Sequence, residues 1–391
     1  MNNFQFYAPT KVIFGKGTEA QVGSLVAGYN CKKVLLHYGS GSVKRTGLLD
    51  RIKKSLDEAQ ISYVELGGVV PNPRLSLVRE GIALCKKEGV DFLLPVGGGS
   101  VIDSAKAIGY GCANDFDVWD IFEKKNQPKA CLPIGAVVTI AAAGSEMSNS
   151  AVITNEDGWK KRGSNSDTCR PKFAIMNPEL TMTLPPYQTR CGCVDILMHT
   201  MERYFTSKGN MEITDNIAEA LMCTVVTNSL ILEKNPNDYD ARAEIMWASS
   251  LSHNDLTGCG NGGNDFATHR LEHELGGMFD VAHGAGLAAL WGTWARYVHK
   301  DCLNRFVKFA RTVWNVTEGT DEEIALKGIV ATEDFFRKIQ MPTNMRELGI
   351  SPTNEQITEL AKKCAITTGN NLGSAKVLHE EDMRAIYEQA R

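Results

Sequence analysis

Three of the eight histidines in this 391-residue chain fall between positions 269 and 283. His269 and His273 are four residues apart in THRLEHELGG, so on a helix they project from one face, and His283 follows just past a Gly-Gly interruption. Upstream, DILMHTMERYF places Asp195 and His199 at the same spacing. One carboxylate with two or three imidazoles is a donor set that Zn²⁺ or Fe²⁺ accepts. A lone Asp/His pair at this spacing is an ordinary helix-surface contact. Two such pairs plus a further histidine, in a chain poor in histidine, point to one metal site. A metalloprotease is a poor reading, because H-E-x-x-H starting at His273 needs a histidine at 277, where Gly277 stands. His37, His253, His299 and His379 are isolated and read as structural.

A second chemical signal is Gly97-Gly98-Gly99-Ser100. It lies between a β-branched and apolar run ending at Val96 and a helical pattern beginning near Val101. Glycines allow a sharp turn and close approach of a ligand, and a helix start offers unpaired N–H groups to a pyrophosphate. Ile102 breaks the G-x-G-x-x-G pattern, and no G-K-[ST] follows, so neither the standard dinucleotide fingerprint nor a P-loop is present. The same residues also read as a simple helix cap. A similar turn, Gly39-Ser40-Gly41-Ser42, follows an earlier strand. Two such turns at the carboxyl ends of parallel strands favour ligand binding there.

The elements that position these residues change rhythm along the chain. Lys33–Tyr38, Ile61–Leu66, Asp91–Val96, Leu132–Val138 and Phe173–Met176 read as strands. Between them lie helical patterns, one carrying Leu48, Leu49, Ile52 and Leu56, another carrying Leu75, Val78, Ile82 and Cys85 and capped by Gly89. Such alternation predicts a Rossmann-like parallel sheet covered by helices. Past Pro185-Pro186 only helical patterns remain: Gln188–Phe205, Ile213–Leu232, Ala241–His253, Asp265–Met278 and more to Arg391. The length exceeds the roughly 250–300 residues of a single core. The expectation is an α/β domain over 1–184 and an all-α domain over 185–391.

Composition narrows the class. Hydrophobic residues form 43% and charged residues 23%, as in globular proteins, and a net charge of −4 gives no reason to expect a nucleic-acid partner. The eleven cysteines follow no disulfide or zinc-module spacing, which fits reduced thiols and a cytoplasmic setting. No signal peptide is read at the start. The apolar stretch from Cys131 to Gly144 is too short for the ~20 residues of a membrane span, so no membrane partner is expected.

Taken together, the segments FGKG near the start, VVPNP at 69–73, GGGSVIDSAKAIG at 97–109, GSE at 144–146, CVDILMHTMERYF at 193–205 and THRLEHELGGMFDVAHGAGLA at 268–288 resemble the iron-containing (group III) alcohol dehydrogenases, nearest to the butanol dehydrogenase branch. The resemblance runs almost end to end. It implies the two-domain fold shared with dehydroquinate synthase. It also implies Asp195, His199, His269 and His283 as ligands of one divalent ion, Fe²⁺ or Zn²⁺, and His273 as a proton-relaying residue near a nicotinamide. Gly97, Gly98, Gly99 and Ser100 would cradle the pyrophosphate, with Asp103 towards the nicotinamide and Asn72, Thr139 and Lys161 as further cofactor contacts. Two departures from the family pattern are Ala142-Ala143-Gly144-Ser145-Glu146, where an adenine-side hydroxyl is missing, and Asn177, where many relatives carry Asp.

NAD-specific relatives tend to carry an Asp after the first strand of the dinucleotide fold. Here Gly39, Ser40, Gly41 and Ser42 stand there, with Lys44 and Arg45 beyond, so NADP(H) is expected over NAD(H). The implied reaction is metal-assisted hydride transfer between the nicotinamide and a small primary alcohol/aldehyde pair of the butanol/butanal type. Other readings stay open on the residues alone. These are an NAD-dependent polyol dehydrogenase (glycerol or 1,3-propanediol), a dehydroquinate synthase-like lyase, a nucleotide-independent metal hydrolase and a nucleotide-binding scaffold without turnover. A homodimer is expected from FQFYAPTKVIFG, which can add a strand to a neighbour's sheet.

Overall fold

The structure, a computed structural model, describes residues 1–206 and 209–391. It divides into two compact units, Ala8–Leu184 and a second made of Pro185–Arg391 together with Met1–Tyr7.

The first unit is a parallel sheet with helices on both faces. Its strands are β1 (Lys11–Phe14), β2 (Lys33–Gly39), β3 (Ser62–Val69), β4 (Phe92–Gly97), β5 (Gly135–Val138) and β8 (Phe173–Met176), in the order β1-β8-β5-β4-β2-β3. Every neighbouring pair is parallel. A separate antiparallel hairpin joins β6 (Ser150–Asn155) to β7 (Lys160–Asn165). The helices are α1 (Val22–Ala27), α2 (Ser42–Arg45), α3 (Leu48–Glu58), α4 (Leu75–Glu88), α5 (Gly99–Ala113) and α6 (Trp119–Phe122).

Period-2 alternation sends successive strand residues to opposite faces. Val34, Leu36, Phe92, Leu94 and Val96 join Leu48, Leu49, Ile52 and Leu56 of α3 in one buried cluster. Leu35 and Leu93 face the other way, into a cluster with Val78 of α4 and Ile108 of α5. Each such fully buried side chain contributes roughly 1.5–3 kcal/mol. Because α3 lies on one face and α5 on the other, β2 and β4 are adjacent strands whose following segments leave in opposite directions. That is a topological switch point, where open α/β sheets bind ligands. Both glycine-containing turns emerge there.

His37 ties this sheet to α5. It is fully buried, with Nδ1 2.8 Å from the Leu66 carbonyl oxygen and Nε2 2.9 Å from Ser104 Oγ. Burial pushes it down to about 4, so it is a neutral structural imidazole, as its isolation in the sequence suggested.

The second unit is helical: α7 (Pro186–Tyr204), α8 (Glu212–Lys234), α9 (Tyr239–His253), α10 (Ala267–Phe279), α11 (His283–Val298), α12 (Leu303–Trp314), α13 (Asp321–Lys338), α14 (Asn354–Thr368) and α15 (Glu380–Ala390). Pro185-Pro186 opens α7, where a missing N–H costs nothing. From Gly192 to Tyr204 every residue of α7 is buried, so it is the central helix of its unit rather than an amphipathic surface one. Buried Arg305 of α12 holds its end: Nε and Nη2 donate to the Tyr204 carbonyl at 3.0 and 2.7 Å while Nη1 donates to Asp215 at 2.6 Å.

The segment FQFYAPTKVIFG contributes an edge strand of the sheet. Lys11–Phe14 pairs with β8 of its own chain and ends the strand order, and Asn2 N donates to the Gly260 carbonyl in the helical unit. Among the described residues no helix is long and apolar enough to cross a membrane, and the eleven cysteines are free thiols.

Candidate functional site

Two helices, α7 and α10, and the first residue of a third, α11, bring the donors together. Asp195 and His199 sit one turn apart on α7, and Asp195 Oδ1 lies 3.3 Å from His199 Nδ1. Oδ1 is also 3.5 Å from His269 Nε2 on α10 and 3.7 Å from His283 Nε2 at the start of α11. Donors about 2.0–2.2 Å from a tetrahedral ion stand about 3.3–3.6 Å apart, so these separations suit one divalent cation. Asp195, His199 and His269 are mutually within 4.8 Å, whereas His283 is the outlying and more open member, its side chain 28% exposed.

The atoms themselves carry a stronger test of fit. Asp195 Oδ1, His199 Nδ1 and His269 Nε2 are buried and have no hydrogen-bond partner. A buried polar atom without a partner costs about 1–3 kcal/mol, so three aimed at one point call for a ligand. The residues present therefore fit a cation.

Electrostatics agree with the geometry. Burial alone would raise the Asp195 carboxyl, but the His199, His283 and His269 imidazoles hold it well below the usual carboxylate range. Burial drives His199 well below the usual imidazole range. Burial also opposes charge on His269, yet Glu202 and Asp195 outweigh it and raise this histidine to about 9.

Around the donors lie residues that spacing alone did not single out. His269 Nδ1 bonds to Glu202 Oε2 and His283 Nδ1 bonds to Glu272 Oε2, and both glutamates are fully buried. Their signal was present in MERYF and HRLEHE, three residues after His199 and His269, but carboxylates at helical spacing are too common to stand out. Arg203 Nη1 donates to the His199 carbonyl at 2.9 Å, and its guanidinium covers the Phe266 ring at 4.9 Å. Phe266 caps α10 with φ +51°, an unusual backbone for a bulky residue, and its ring lies edge-on to His269 at 5.4 Å. His253, read as structural, packs its ring 4.0 Å from that of His199. His273 is buried, one turn along α10 from His269, with its ring 5.9 Å from that of His283.

The predicted cofactor residues gather in the first unit at the carboxyl ends of adjacent strands. Gly39 ends β2, Ser40 and Gly41 follow, and Ser42 opens α2. Asn72, buried with φ +55°, follows β3. Gly97 ends β4, Gly98 caps α5, and Gly99 and Ser100 form its first turn. Thr139 follows β5, its N–H donating to the Gly97 carbonyl at 3.0 Å. Lys161 is buried on β7 opposite Thr154, whose N–H donates to the Pro73 carbonyl at 2.8 Å, so the hairpin rests against the Asn72 turn.

The reason for the glycines differs from the expected sharp turn. None of Gly97, Gly98 and Gly99 is in the left-handed region. They are glycine because a Cβ would meet Val101 at 2.5 Å, Ile140 at 2.9 Å and Ala143 at 2.9 Å. Val101 and Ile102 N–H donate to the Gly98 carbonyl, and the N–H groups of Gly99 and Ser100, like those of any helix start, lack intrahelical acceptors, a fit for phosphate oxygens. Asp103 has internal partners: Ser145 Oγ donates to Oδ1 at 2.6 Å and Val152 N to Oδ2 at 2.9 Å. Lys106, fully buried one turn on, donates to the Ser145, Ser148 and Ser150 carbonyls at 2.7–3.0 Å. Asn177 is explained by Glu19, whose carboxylate accepts from Asn177 Nδ2 at 2.9 Å; an Asp there would face a like charge.

A parallel sheet with a switch point in one unit and a carboxylate–imidazole cluster in the other fit a two-unit protein that binds a nucleotide and a metal ion. Residues 9–178 match the family model described as iron-containing alcohol dehydrogenase, and residues 189–391 match that of the Fe-containing alcohol dehydrogenase family, C-terminal. The chain belongs to the iron-containing alcohol dehydrogenase family. It is 38% identical to NADH-dependent butanol dehydrogenase A of Clostridium acetobutylicum, covering 100% of both chains. It is 36% identical to the NADPH-dependent aldehyde reductase YqhD of Escherichia coli, again over 100% of both. Among solved structures it resembles NADH-dependent butanol dehydrogenase A of Thermotoga maritima, with a TM-score of 0.96 and 39% identity over 100% of this chain and 99% of that one.

Proposed function

We propose that this enzyme interconverts a small primary aldehyde and its alcohol, of the butanal/butanol type, with NADP(H) and one divalent ion held by Asp195, His199, His269 and His283. The observation that carries the reading is the set of three buried, partnerless donor atoms within one ion's reach. When bound, the ion supplies Lewis-acid polarisation of the carbonyl and the nicotinamide supplies the hydride. The rest is work for the chain itself. The N–H groups of Gly99 and Ser100 bind pyrophosphate oxygens, and Asn72, Thr139 and Lys161 line the same strand ends. Asp103 and Lys106 fix the Ser145–Val152 segment beside them. A ring nitrogen of His273 moves the proton to or from the substrate oxygen. The N/O donor set suits both Fe²⁺ and Zn²⁺.

NADP(H) preference rests on the absence of any carboxylate from Gly39 to Thr46 and on two cations close by. Lys44 Nζ sits 5.0 Å from the centre of the Tyr38 ring, and Arg45 Nη1 lies 3.3 Å from where a Cβ would stand at Gly41. Both can meet a 2′-phosphate. NAD(H) is the second reading, favoured by the names of the C. acetobutylicum and T. maritima relatives. One absorbance assay with butanal separates the readings. Oxidation of NADPH at a higher kcat/KM than NADH, abolished by chelation and restored by Fe²⁺ or Zn²⁺, is the expected result. A higher kcat/KM with NADH selects the second reading, and activity that survives complete metal removal defeats both. The enzyme is further proposed to work as a homodimer, which light scattering checks.

A further inference from the structure

We propose that Glu202 and Glu272 are positioning residues for the cation, each holding one ligand imidazole so that its Nε2 lone pair faces the ion. The proposal rests on the reading of Asp195, His199, His269 and His283 as ligands. Neither glutamate points at the cluster. Each instead takes the remote nitrogen of a ligand: Glu202, on α7, accepts from His269 Nδ1 on α10, and Glu272, on α10, accepts from His283 Nδ1 on α11. Both are fully buried, a costly place for a carboxylate without a charge-bearing role. The two bonds also form a chain across the three helices, so each ligand helix is tied to the next through an imidazole.

Details of packing show that this arrangement is built. Glu202 uses its second oxygen, Oε1, to accept the His269 backbone N–H at 3.1 Å, so both ring and backbone of that ligand are held by one side chain. Glu272 occupies space that exists because residue 286 is glycine: a Cβ there would lie 2.9 Å from Glu272 Cγ. His199 is held differently. Among the described residues its far nitrogen meets no carboxylate, and its ring is packed against those of His253 and His269 at 4.0 and 4.5 Å. The ligand set thus contains two braced imidazoles and one held by packing alone.

The tautomer argument makes the role specific. With Nδ1–H donated to a carboxylate, the lone pair rests on Nε2, the atom that faces Asp195 in both histidines. In Glu202→Gln, the amide oxygen keeps the backbone bond and the NH₂ group is left facing His269 Nδ1. That donor forces Nδ1 to accept, places the proton on Nε2 and removes the lone pair from the cation's side.

The test uses full-length enzyme, stripped by chelation and titrated with Zn²⁺ against a chromophoric chelator, for the wild type, Glu202→Gln and Glu272→Gln. Wild type binds one Zn²⁺ per chain, and each variant binds it about 10- to 100-fold more weakly. The Co²⁺-loaded variants also show an altered ligand-field spectrum per bound ion, which a change confined to overall stability would not produce. NADPH binding, followed by fluorescence, stays unchanged. Glu272→Gln lies on a different helix and carries the test alone if Glu202→Gln does not fold. Variant affinities within twofold of wild type, with identical Co²⁺ spectra, overturn the proposal while leaving the ligand reading intact. A wild type that binds no Zn²⁺ overturns that reading and the proposal with it.

Discussion

The glycine turn of the first unit and the carboxylate–imidazole cluster of the second solve opposite problems. At Gly97–Ser100 the chemistry belongs to the backbone, and the side chains are removed so that α5 can pack against Ile140 and Ala143. At Asp195, His199 and His269 the chemistry belongs to the side chains, and buried helices hold one donor atom of each without a hydrogen-bond partner. The first site tolerates no added volume; the second tolerates no lost functional group. Substitutions should therefore fail differently in the two places.

The largest effect is expected in the helical unit. His269→Ala removes a central donor and should abolish metal retention and turnover together. Lewis-acid polarisation is worth several kcal/mol, so the loss in kcat is on the order of a thousandfold or more. Elemental analysis beside an NADPH oxidation assay checks it, and an active, metal-free variant would break the assignment. Next comes Gly97→Ala, whose Cβ would stand 2.5 Å from Val101. Overpacking of this kind costs about 1–3 kcal/mol of stability, and because the clash displaces the turn proposed to hold the pyrophosphate, the KM for NADPH should rise while metal content stays at wild-type level. A drop in metal content instead would show that the two regions are not separable.

The smallest effect concerns pH. His37 has a folded value of about 4, below its unfolded value near 6.5, because burial favours the neutral ring. The unfolded chain therefore takes up a proton first as pH falls. The stability due to neutral His37 is complete above about pH 6.5 and is lost progressively down to about pH 4, a total of roughly 3 kcal/mol. His37→Gln should flatten the denaturant-unfolding profile in that window without changing metal content. An unchanged pH slope would contradict the role given to this residue.

How much of this was legible in the sequence follows the same division. The pairs Asp195/His199 and His269/His273 stood out because their shared i,i+4 spacing recurs in a chain poor in histidine, whereas the choice of His283 over His273 as a proposed ligand came only with the family resemblance. The core strands were legible because both of their faces are buried, giving runs such as KVLLHY and DFLLPV. The hairpin Ser150–Asn155/Lys160–Asn165 was not read, since KKRGSN has no apolar alternation and is held by cross-strand pairing. The partner of Lys11–Phe14 within its own sheet was not legible, because β8 lies some 160 residues away. Glu202 and Glu272 escaped notice because burial, not type, distinguishes them from other glutamates. The glycine turn was found for an incomplete reason: packing, rather than backbone freedom, excludes a side chain there.

The most direct test of the central claim is X-ray absorption of the Zn²⁺-loaded enzyme at the metal edge. Convergence of Asp195, His199, His269 and His283 predicts a first shell of N/O donors at about 2.0–2.1 Å with outer scattering from three imidazoles, falling to two in His283→Ala. A sulfur shell near ~2.3 Å, or scattering from a single imidazole, would contradict it.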